Sequence, residues 1–326
     1  MNSTISSLVS TTTTTTITSV TSTTTTTSTA STTSSTVSSS TTSTTSTTTT
    51  TSLFCWNSTA ITVAGITSSA GTAANQFDRP FAIALDSSNT LYISDQNNNR
   101  VQKWLAGASN GTTVAGEASG MQGIDSSSLY IPSGILLDSS GNIYVADTGN
   151  FRVQYWVQGA SNGTTVAGIT AGASSGTVAA GGNGLGTANT QLKYPVGVYF
   201  DASSNSLIIA NTGANNVVRW VLGASSWTLI AGSMNGTKGS NATLLNYPVG
   251  VTMDSMGNIY VADRNNHRIQ FFLAGQSTGI TIAGVTNSSG DSAKLLYNPY
   301  SIILDAQLNL YVADTYNHRI QKFIHC

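Results

Sequence analysis

The chain has 326 residues, of which 8% are charged, and its formal net charge at pH 7 is −1. Such a balance offers no basic face that could neutralise phosphates, so nucleic acid is not an expected partner. No run of about 18 apolar residues is present, so the sequence predicts no membrane span.

The first 52 residues form a segment of almost pure hydroxyl composition, since 43 of them are Ser or Thr. Such a segment has little apolar surface, and burial cannot offset the entropy that is lost on ordering. We therefore predict a disordered, mucin-like stalk over residues 1–52, of the kind that carries O-linked sugars. Residues 53–326 are predicted to form one folded domain.

Five related units fill this second part of the chain. Each unit holds four short β-type runs separated by turn residues, which in the fourth unit are VGVTMD, NIYVAD, HRIQFF and GITIAG. Repeats of this period are typical of stacked supersecondary units. The units start at Pro80, Pro132, Pro195, Pro248 and Pro299, so the spacings are 52, 63, 53 and 51 residues.

The first run of every unit ends at an Asp that opens a turn. A carboxylate there can accept backbone N–H bonds, so a turn role is favoured over a ring of reactive carboxylates. A small residue occupies an early position of the same run, which fits innermost strands that crowd a central channel. These small residues are Ala82, Gly134, Gly197, Gly250 and Ser301.

The second run is followed by an Asp and an Arg five positions apart in four of the units. In the third unit both residues change together, to Asn211 and Asn216. A joint change is expected of an ion pair, because removal of one partner leaves an uncompensated charge. We predict that the pairs clamp the turn between second and third strands: Asp95 with Arg100, Asp147 with Arg152, Asp263 with Arg268, and Asp314 with Arg319.

The third run carries one aromatic residue per unit, which predicts a core position between blades rather than a sugar-stacking stripe. The fourth run ends in Ala-Gly in the first four units, and a displaced copy, ITVAG, lies at Ile61–Gly65 ahead of the first unit. The last unit lacks a fourth run, which this copy can supply. A ring closed in this way leaves no blade with an unpaired edge.

The segments DTYNHRIQKF, DRNNHRIQFF and DTGNFRVQYW, each preceded by a run such as NIYVA or NLYVA, resemble NHL repeats. The resemblance covers about residues 61 to 325 and implies a β-propeller, which usually has six blades in this family. Five units are counted, and the extra length in the third spacing is too short for another blade. We therefore predict an all-β propeller of five four-stranded blades, with six as the alternative.

The resemblance says little about chemistry, because the family includes RNA-binding domains, extracellular sensors of bacterial kinases and relatives of amidating lyases. His267 and His318 occupy the N-H-R positions of the repeat, which implies a structural role in the turn. With His325 they make three histidines, and no set that could bind zinc stands out. No catalytic residue, metal or cofactor is therefore predicted.

The two cysteines, Cys55 and Cys326, lie just before the displaced strand and just after the last third run. A disulfide between them would replace the covalent loop that this blade lacks, and would indicate an oxidising compartment. Two unrelated free thiols are the alternative.

Asn-x-Ser/Thr sequons recur along the chain, although the first residues, MNSTISSLVS, show no signal peptide. Together with the stalk they favour an extracellular or cell-surface protein, with a cytoplasmic low-complexity protein as the alternative. The strand order places Asn57, Asn110 and Asn162 on one face of the propeller. The other glycosylation candidates fall on the opposite face, with the Asp/Arg turns: Asn235, Asn241 and Asn287.

The leading hypothesis is a monomeric binding module on an O-glycosylated stalk, with a protein or glycan ligand. The face with the Asp/Arg turns also carries the long loop Ile169 to Asn189, and binding residues tend to lie on such loops. A passive insertion is the alternative interpretation of that loop. An enzyme of the lyase or lactonase type is the alternative function, and an RNA-binding domain is the second alternative.

Overall fold

The computed structural model describes residues 55–168 and 177–326, so the predicted stalk over 1–52 lies outside the described residues. Two units are distinguished: residues 56–325, and residues 1–55 with Cys326. In the smaller unit, a disulfide joins Cys55 to Cys326, and the Cys326 N–H donates a 3.0 Å hydrogen bond to the Cys55 carbonyl. The predicted disulfide is therefore formed.

The larger unit consists of five four-stranded antiparallel sheets, which are the blades of a propeller. Blade 1 comprises β2 (Pro80–Leu85), β3 (Leu91–Asp95), β4 (Arg100–Trp104) and β5 (Thr112–Gly116). Blade 2 comprises β6 (Pro132–Leu137), β7 (Ile143–Asp147), β8 (Arg152–Trp156) and β9 (Thr164–Gly168). Blade 3 comprises β10 (Gly197–Asp201), β11 (Ser206–Asn211), β12 (Asn216–Val221) and β13 (Thr228–Gly232). Blade 4 comprises β14 (Pro248–Met253), β15 (Ile259–Asp263), β16 (Arg268–Phe272) and β17 (Ile280–Gly284).

Blade 5 combines the two ends of the propeller. It comprises β18 (Pro299–Leu304), β19 (Leu310–Asp314), β20 (Arg319–Phe323) and β1 (Ile61–Gly65). The β1 strand pairs antiparallel with β20, from Ile61 opposite Lys322 to Gly65 opposite Arg319. The predicted composite blade, and five blades in the part of the chain that the structure describes, are confirmed.

The apolar runs form these strands because the blades pack against each other face to face at four of the five junctions. The second strands β3, β15 and β19 are buried at every residue, as expected for strands between two layers. The core between blades 5 and 1 includes Phe77, Trp104 and Ile320. The aromatic residues of the third strands are all buried, as the core interpretation predicts: Trp104, Trp156, Trp220, Phe272 and Phe323.

A single 3-10 turn joins the second and third strands of each blade and ends at a residue in the left-handed conformation. The φ angles of these residues lie between 51° and 56°. The glycine that ends each fourth strand packs directly against this residue. A Cβ at Gly116, for example, would collide with the Asn99 carbonyl oxygen, so only glycine fits. The left-handed residues are Asn99, Phe151, Asn215, His267 and His318.

At four of the five junctions, the side chain of this left-handed residue fastens one blade to the next. It accepts a hydrogen bond from the backbone N–H of the residue that precedes the first proline of the following blade. We call this bond the junction latch. The latches run from Ile131 to Asn99 Oδ1 (3.0 Å), from Tyr247 to Asn215 Oδ1 (2.9 Å), from Asn298 to His267 Nδ1 (3.3 Å) and from Arg79 to His318 Nδ1 (3.3 Å).

The junction between blades 2 and 3 has no latch, because Phe151 offers no acceptor and is 77% exposed. The glycines of the inner strands also show that the packing is interrupted between blades 2 and 3. A Cβ at Gly197 or Gly250 would strike a carbonyl oxygen of the next blade, whereas one at Gly134 would meet only the Ala146 Cβ, at 3.5 Å. Within the described ranges, no hydrogen bond joins residues 127–168 to residues 177–232.

Equivalent positions on the inner strands confirm that blade 3 does not pack against blade 2. Val198 is 63% exposed, whereas the residues in the same register of blades 1, 4 and 5 are 5 to 8% exposed: Ile83, Val251 and Ile302. Leu136 of blade 2 is 64% exposed, whereas Ala84 of blade 1 is buried. The propeller is therefore open at this junction, which differs from the fully closed ring that the composite blade predicts. We call the opening the slot.

Candidate functional site

The first strands of all five blades line a central channel that continues into the slot. Together they enclose a cavity of about 820 Å³. One end of the propeller carries the 3-10 turns and the loops that lead into the first strands, and we call this end the turn face. The channel opens at the turn face between the first residues of these strands.

A stack of aromatic and cationic side chains borders this mouth. The rings of Phe81 and Tyr300, from adjacent blades, lie 4.6 Å apart. The guanidinium of Arg264 lies 4.7 Å above the Tyr300 ring and 6.0 Å from that of Tyr247. Burial raises the pKa of the Tyr300 phenol, so this ring is neutral at physiological pH.

A second cluster of the same kind spans the same two junctions, between blades 4 and 5 and between blades 5 and 1. The Arg79 guanidinium lies 4.9 Å above the Tyr316 ring, which packs 5.2 Å from Tyr297. The imidazole of His267 meets Tyr297 edge-on at 5.7 Å. Both arginines thus lie against tyrosine faces on the turn face, an arrangement that attracts a cation to the ring.

Arg79 and Arg264 differ from the other arginines in their charge partners. All 13 acidic residues lie in the described ranges, and neither arginine forms an ion pair with any of them. Each of the remaining five arginines binds a carboxylate at 2.7 to 2.9 Å: Arg100, Arg152, Arg219, Arg268 and Arg319. The mouth therefore holds the two guanidinium groups that can bind an anionic or hydroxyl-rich ligand.

The predicted Asp/Arg pairs are brought together in all four units. The distances from Arg Nε to Asp Oδ2 are 2.9, 2.7, 2.8 and 2.8 Å in chain order, and all four aspartates are buried. In blade 4, Arg268 also donates hydrogen bonds to the carbonyls of Ser240, Asn241 and Leu244. Each pair thus ties the 3-10 turn to the loop that enters its blade, and its contribution to stability stays a prediction.

Burial raises the pKa of Asp95 to about 6, because lost hydration outweighs the opposing hydrogen bonds from Asn98 and from the Asp78 N–H and the charge of Arg100. The pKa values of Asp263 and Asp314 are raised for the same first reason. The aspartates with raised pKa values therefore lie beside arginines inside the blades and not at the channel mouth.

The third unit keeps the backbone hydrogen bond of the aspartate position but not the contacts that the arginine makes with the entering loop. Asn211 Oδ1 accepts the Lys193 N–H at 2.6 Å, as Asp263 accepts the Asn246 N–H in blade 4. Asn216 donates to the Ser233 carbonyl at 2.8 Å and reaches no residue of the entering loop. The Nδ2 of Asn211 and the Oδ1 of Asn216 are buried without a partner. The double change thus removes the charges but leaves two polar atoms unsatisfied.

The other predicted positions lie at the surface. All six glycosylation candidates within the described ranges are exposed, and their occupancy stays a prediction: Asn57, Asn110, Asn162, Asn235, Asn241 and Asn287. Of the long loop, residues 169–176 lie outside the described residues. In its described part, Ala180 packs with Leu192 against a core that contains Trp227.

In the part of the chain that the structure describes, no group of three His, Cys, Asp or Glu side chains could hold a metal ion. None of the helices found there has the length and hydrophobicity that a membrane crossing requires. His267 and His318 accept latch hydrogen bonds, which fits the turn role that the repeat implies.

Sequence reasoning missed the mouth cluster and the slot. Arg264 occupies the position of Thr212 and Thr315, whose hydroxyls donate to the first carbonyl of the next blade. The sequence shows a cation at that position, and it shows Phe151 where the other units have an amide or an imidazole side chain. These two departures from the repeat could have indicated the mouth cluster and the slot. Tyr300 could not be found in this way, because its contact with Phe81 is made across a junction.

Comparisons with known proteins support the architecture. The NHL repeat family matches residues 129–155, 245–272 and 296–323, which fall in blades 2, 4 and 5. Comparison with curated proteins finds no match.

Several solved structures are similar to the chain. A structural genomics protein of unknown function from Bacteroides thetaiotaomicron is 17% identical, with a TM-score of 0.52, and the alignment covers 82% of this chain and 75% of that chain. An auxiliary nutrient binding protein from Bacteroides ovatus is 13% identical, with a TM-score of 0.45 and coverage of 81% and 76%. The first of these similarities shows the fold alone.

Three repeat matches fall on successive strands of individual blades, and five such blades surround one channel. The chain is an NHL-repeat β-propeller.

Proposed function

We propose that this chain is an extracellular binding module that takes its ligand, a protein or a glycan, at the turn-face mouth of the channel. The observation that carries the proposal is the pairing of Arg79 and Arg264 with tyrosine faces instead of carboxylates. These guanidinium groups keep N–H donors free of anionic partners at the entrance of a concave site. Concave sites with a few convergent polar groups are where propellers and other rigid scaffolds bind ligands.

The chemistry of the mouth favours a glycan over an apolar ligand. Tyrosine rings offer flat apolar surfaces against which a sugar ring can lie, while a guanidinium can donate two parallel bonds to a carboxylate or to neighbouring hydroxyls. Tyr247 and Tyr297 are exposed on the turn face beside Arg264 and His267. A glycan that carries a carboxylate or sulfate would use both features.

The Cys55–Cys326 disulfide supports an extracellular location, because such bonds persist in oxidising compartments. Six exposed sequons and the hydroxyl-rich segment over 1–52 support a glycosylated molecule whose binding domain, 53–326, is carried on a stalk. In this proposal the propeller acts as a monomer and performs no catalysis.

The direct test is binding of the secreted full-length protein to an array of neutral and acidic glycans. The Arg264→Ala variant is expected to bind about tenfold more weakly, which corresponds to about 1.4 kcal/mol. Arg79→Ala is expected to have a similar effect. Affinity is measured by titration with the glycan that gives the strongest array signal.

The matched control is Lys103→Ala, which removes another cation that lies over a tyrosine, 5.7 Å from the Tyr92 ring, but belongs to the third strand of blade 1. Its affinity should stay within about twofold of the wild type, or about 0.4 kcal/mol. Equal losses in both variants, or binding of RNA that weakens with salt, would contradict the proposal.

A further inference from the structure

The slot between blades 2 and 3 belongs to the same cavity as the mouth, but its walls come from other blades than the Phe81–Tyr300 pair. Its walls are the sheet faces that the other junctions bury against each other. Blade 2 contributes Leu136, Tyr144 and Val153, and blade 3 contributes Val198, Phe200 and Leu207. In blade 1, the counterparts of Tyr144 and Val153 are buried: Tyr92 and Val101.

The exposure of this apolar surface is specified by the sequence. Phe151 removes the acceptor that forms the latch elsewhere, and Tyr194, the residue that would donate to it, is exposed. The strand sequence itself is unchanged, because β5 and β9 both read TTVAG, yet Ala115 is buried and Ala167 is exposed. The slot thus results from the missing latch at this junction and not from a more polar strand sequence.

The lining determines the chemistry of an occupant. None of the side chains that line the channel and the slot, which together form the cavity of about 820 Å³, is charged. Its hydrogen-bonding side chains are hydroxyls: Tyr144, Tyr199, Thr252, Tyr300 and Ser301. A charged ligand would lose its hydration without gaining a partner. The combined volume of channel and slot lies within the range of roughly 300 to 1,000 Å³ that is typical of small-molecule sites.

A polypeptide segment fits the slot poorly. Both walls are faces of sheets whose backbone N–H and C=O groups are paired within the ladders. An inserted segment would therefore bring unpaired backbone groups into an apolar space, which is costly. An uncharged molecule brings no such groups.

We propose that the slot is a binding site for an uncharged, apolar small molecule with at most a few neutral polar groups, such as a hydrophobic aromatic or terpenoid compound. The occupant lies between Leu136 of blade 2 and Val198 of blade 3 and replaces the inter-blade contact that this junction lacks. The site goes beyond the proposed glycan or protein binding at the mouth and does not depend on it.

The test is titration of the full-length protein with the uncharged fluorophore N-phenyl-1-naphthylamine, whose emission rises in apolar surroundings. The wild type should show saturable binding. Leu136→Glu and Val198→Glu place a carboxylate on opposite walls, and each should weaken binding at least about tenfold because the dry contact is lost. Both residues are largely exposed, so these variants keep the fold, which thermal unfolding verifies.

The matched control is Leu105→Glu, which changes a leucine of similar exposure in the loop after β4. Its affinity should stay within about twofold of the wild type, since a lone exposed leucine needs no partner. In addition, Val198→Trp should fill the slot and abolish binding without adding charge.

Three results would overturn the proposal. They are the absence of saturable binding in the wild type, equal binding by the slot variants, and a dimer in sedimentation that dissociates in Val198→Glu, which would identify a second copy as the occupant. The mouth proposal is tested with glycans and the variants Arg79→Ala and Arg264→Ala, whereas this proposal is tested with the fluorophore and the variants Leu136→Glu and Val198→Glu. Failure of one is therefore distinguishable from failure of the other.

Discussion

At the residue scale, the latches of blades 4 and 5 require neutral histidines. His267 and His318 accept backbone N–H groups through Nδ1, and an imidazolium has no acceptor. Burial is the largest cause that lowers the pKa of both side chains. The neighbouring guanidinium of Arg264 acts in the same direction on His267, while Asp78 opposes the lowering at His318.

We therefore predict that these latches weaken in acid. A histidine whose pKa is lowered in the folded state contributes stability that is present above its unfolded pKa of about 6.5, and loses it as the pH falls through the folded pKa. The double variant His267→Asn and His318→Asn replaces both histidines by asparagine. The amide oxygen of asparagine accepts the latches of blades 1 and 3, and it does not titrate. The free energy of unfolding should fall more steeply in the wild type than in the variant between pH 7.5 and 5.

Comparison at equal pH removes the contribution of the buried aspartates. The raised pKa of Asp95, about 6, acts in the opposite direction, because that contribution is lost as the pH rises through the folded value. Since Asp95 is present in both proteins, it cancels in the difference. Parallel pH profiles for wild type and variant would show that the histidines fasten no junction.

The Asp/Arg pairs give a second prediction at this scale. Asp263→Ala leaves the Arg268 charge buried and should cost about 3 to 5 kcal/mol. Asp263→Asn combined with Arg268→Asn reproduces Asn211 and Asn216 of blade 3, and should cost less. Urea unfolding of both variants checks this prediction, and equal losses would show that the pair does not act as a clamp.

At the scale of elements, equivalent positions of different blades should respond differently to one substitution. Val251→Asp buries a carboxylate at a packed junction and should cost more than about 3 kcal/mol. Val198→Asp changes the same position in the slot wall and should stay within about 0.5 kcal/mol of the wild type. Chemical unfolding of the two variants compares a closed junction with the open one.

The strands and the composite blade were predictable because they depend on local pattern and on repetition within one chain. The ITVAG copy at Ile61–Gly65 indicated a displaced fourth strand, and β1 occupies that place. The slot was not predicted, because it depends on contacts between units. Phe151 read alone is an acceptable turn residue, and only the latch geometry shows that an acceptor is missing there.

The candidate site was predictable to the level of a face. The turn face was identified from strand order, and the mouth lies on it. Its aromatic pair, Phe81 and Tyr300, comes from units that lie at opposite ends of the domain sequence and meet where blade 5 adjoins blade 1. A repeat comparison aligns such residues with their counterparts, but does not reveal which of them touch.

At the scale of the whole molecule, the disulfide closes a loop of 271 residues. The chain-entropy model assigns such a crosslink about 5 kcal/mol of stabilisation, through the unfolded state. We predict that Cys55→Ser combined with Cys326→Ser lowers the free energy of unfolding by up to about this amount. Non-reducing mass spectrometry of the secreted protein should show the bond, and two free thiols would contradict this prediction.

The central claim at this scale is a propeller with four packed junctions and one open junction, and thiol labelling of two matched variants tests it most directly. Ala115→Cys and Ala167→Cys change the same position of two strands that both read TTVAG. We predict that iodoacetamide labels the Ala167→Cys variant at nearly the rate of a free thiol, and the Ala115→Cys variant at least about a hundredfold more slowly, because only local opening exposes it. Equal protection of the two positions would contradict the open junction.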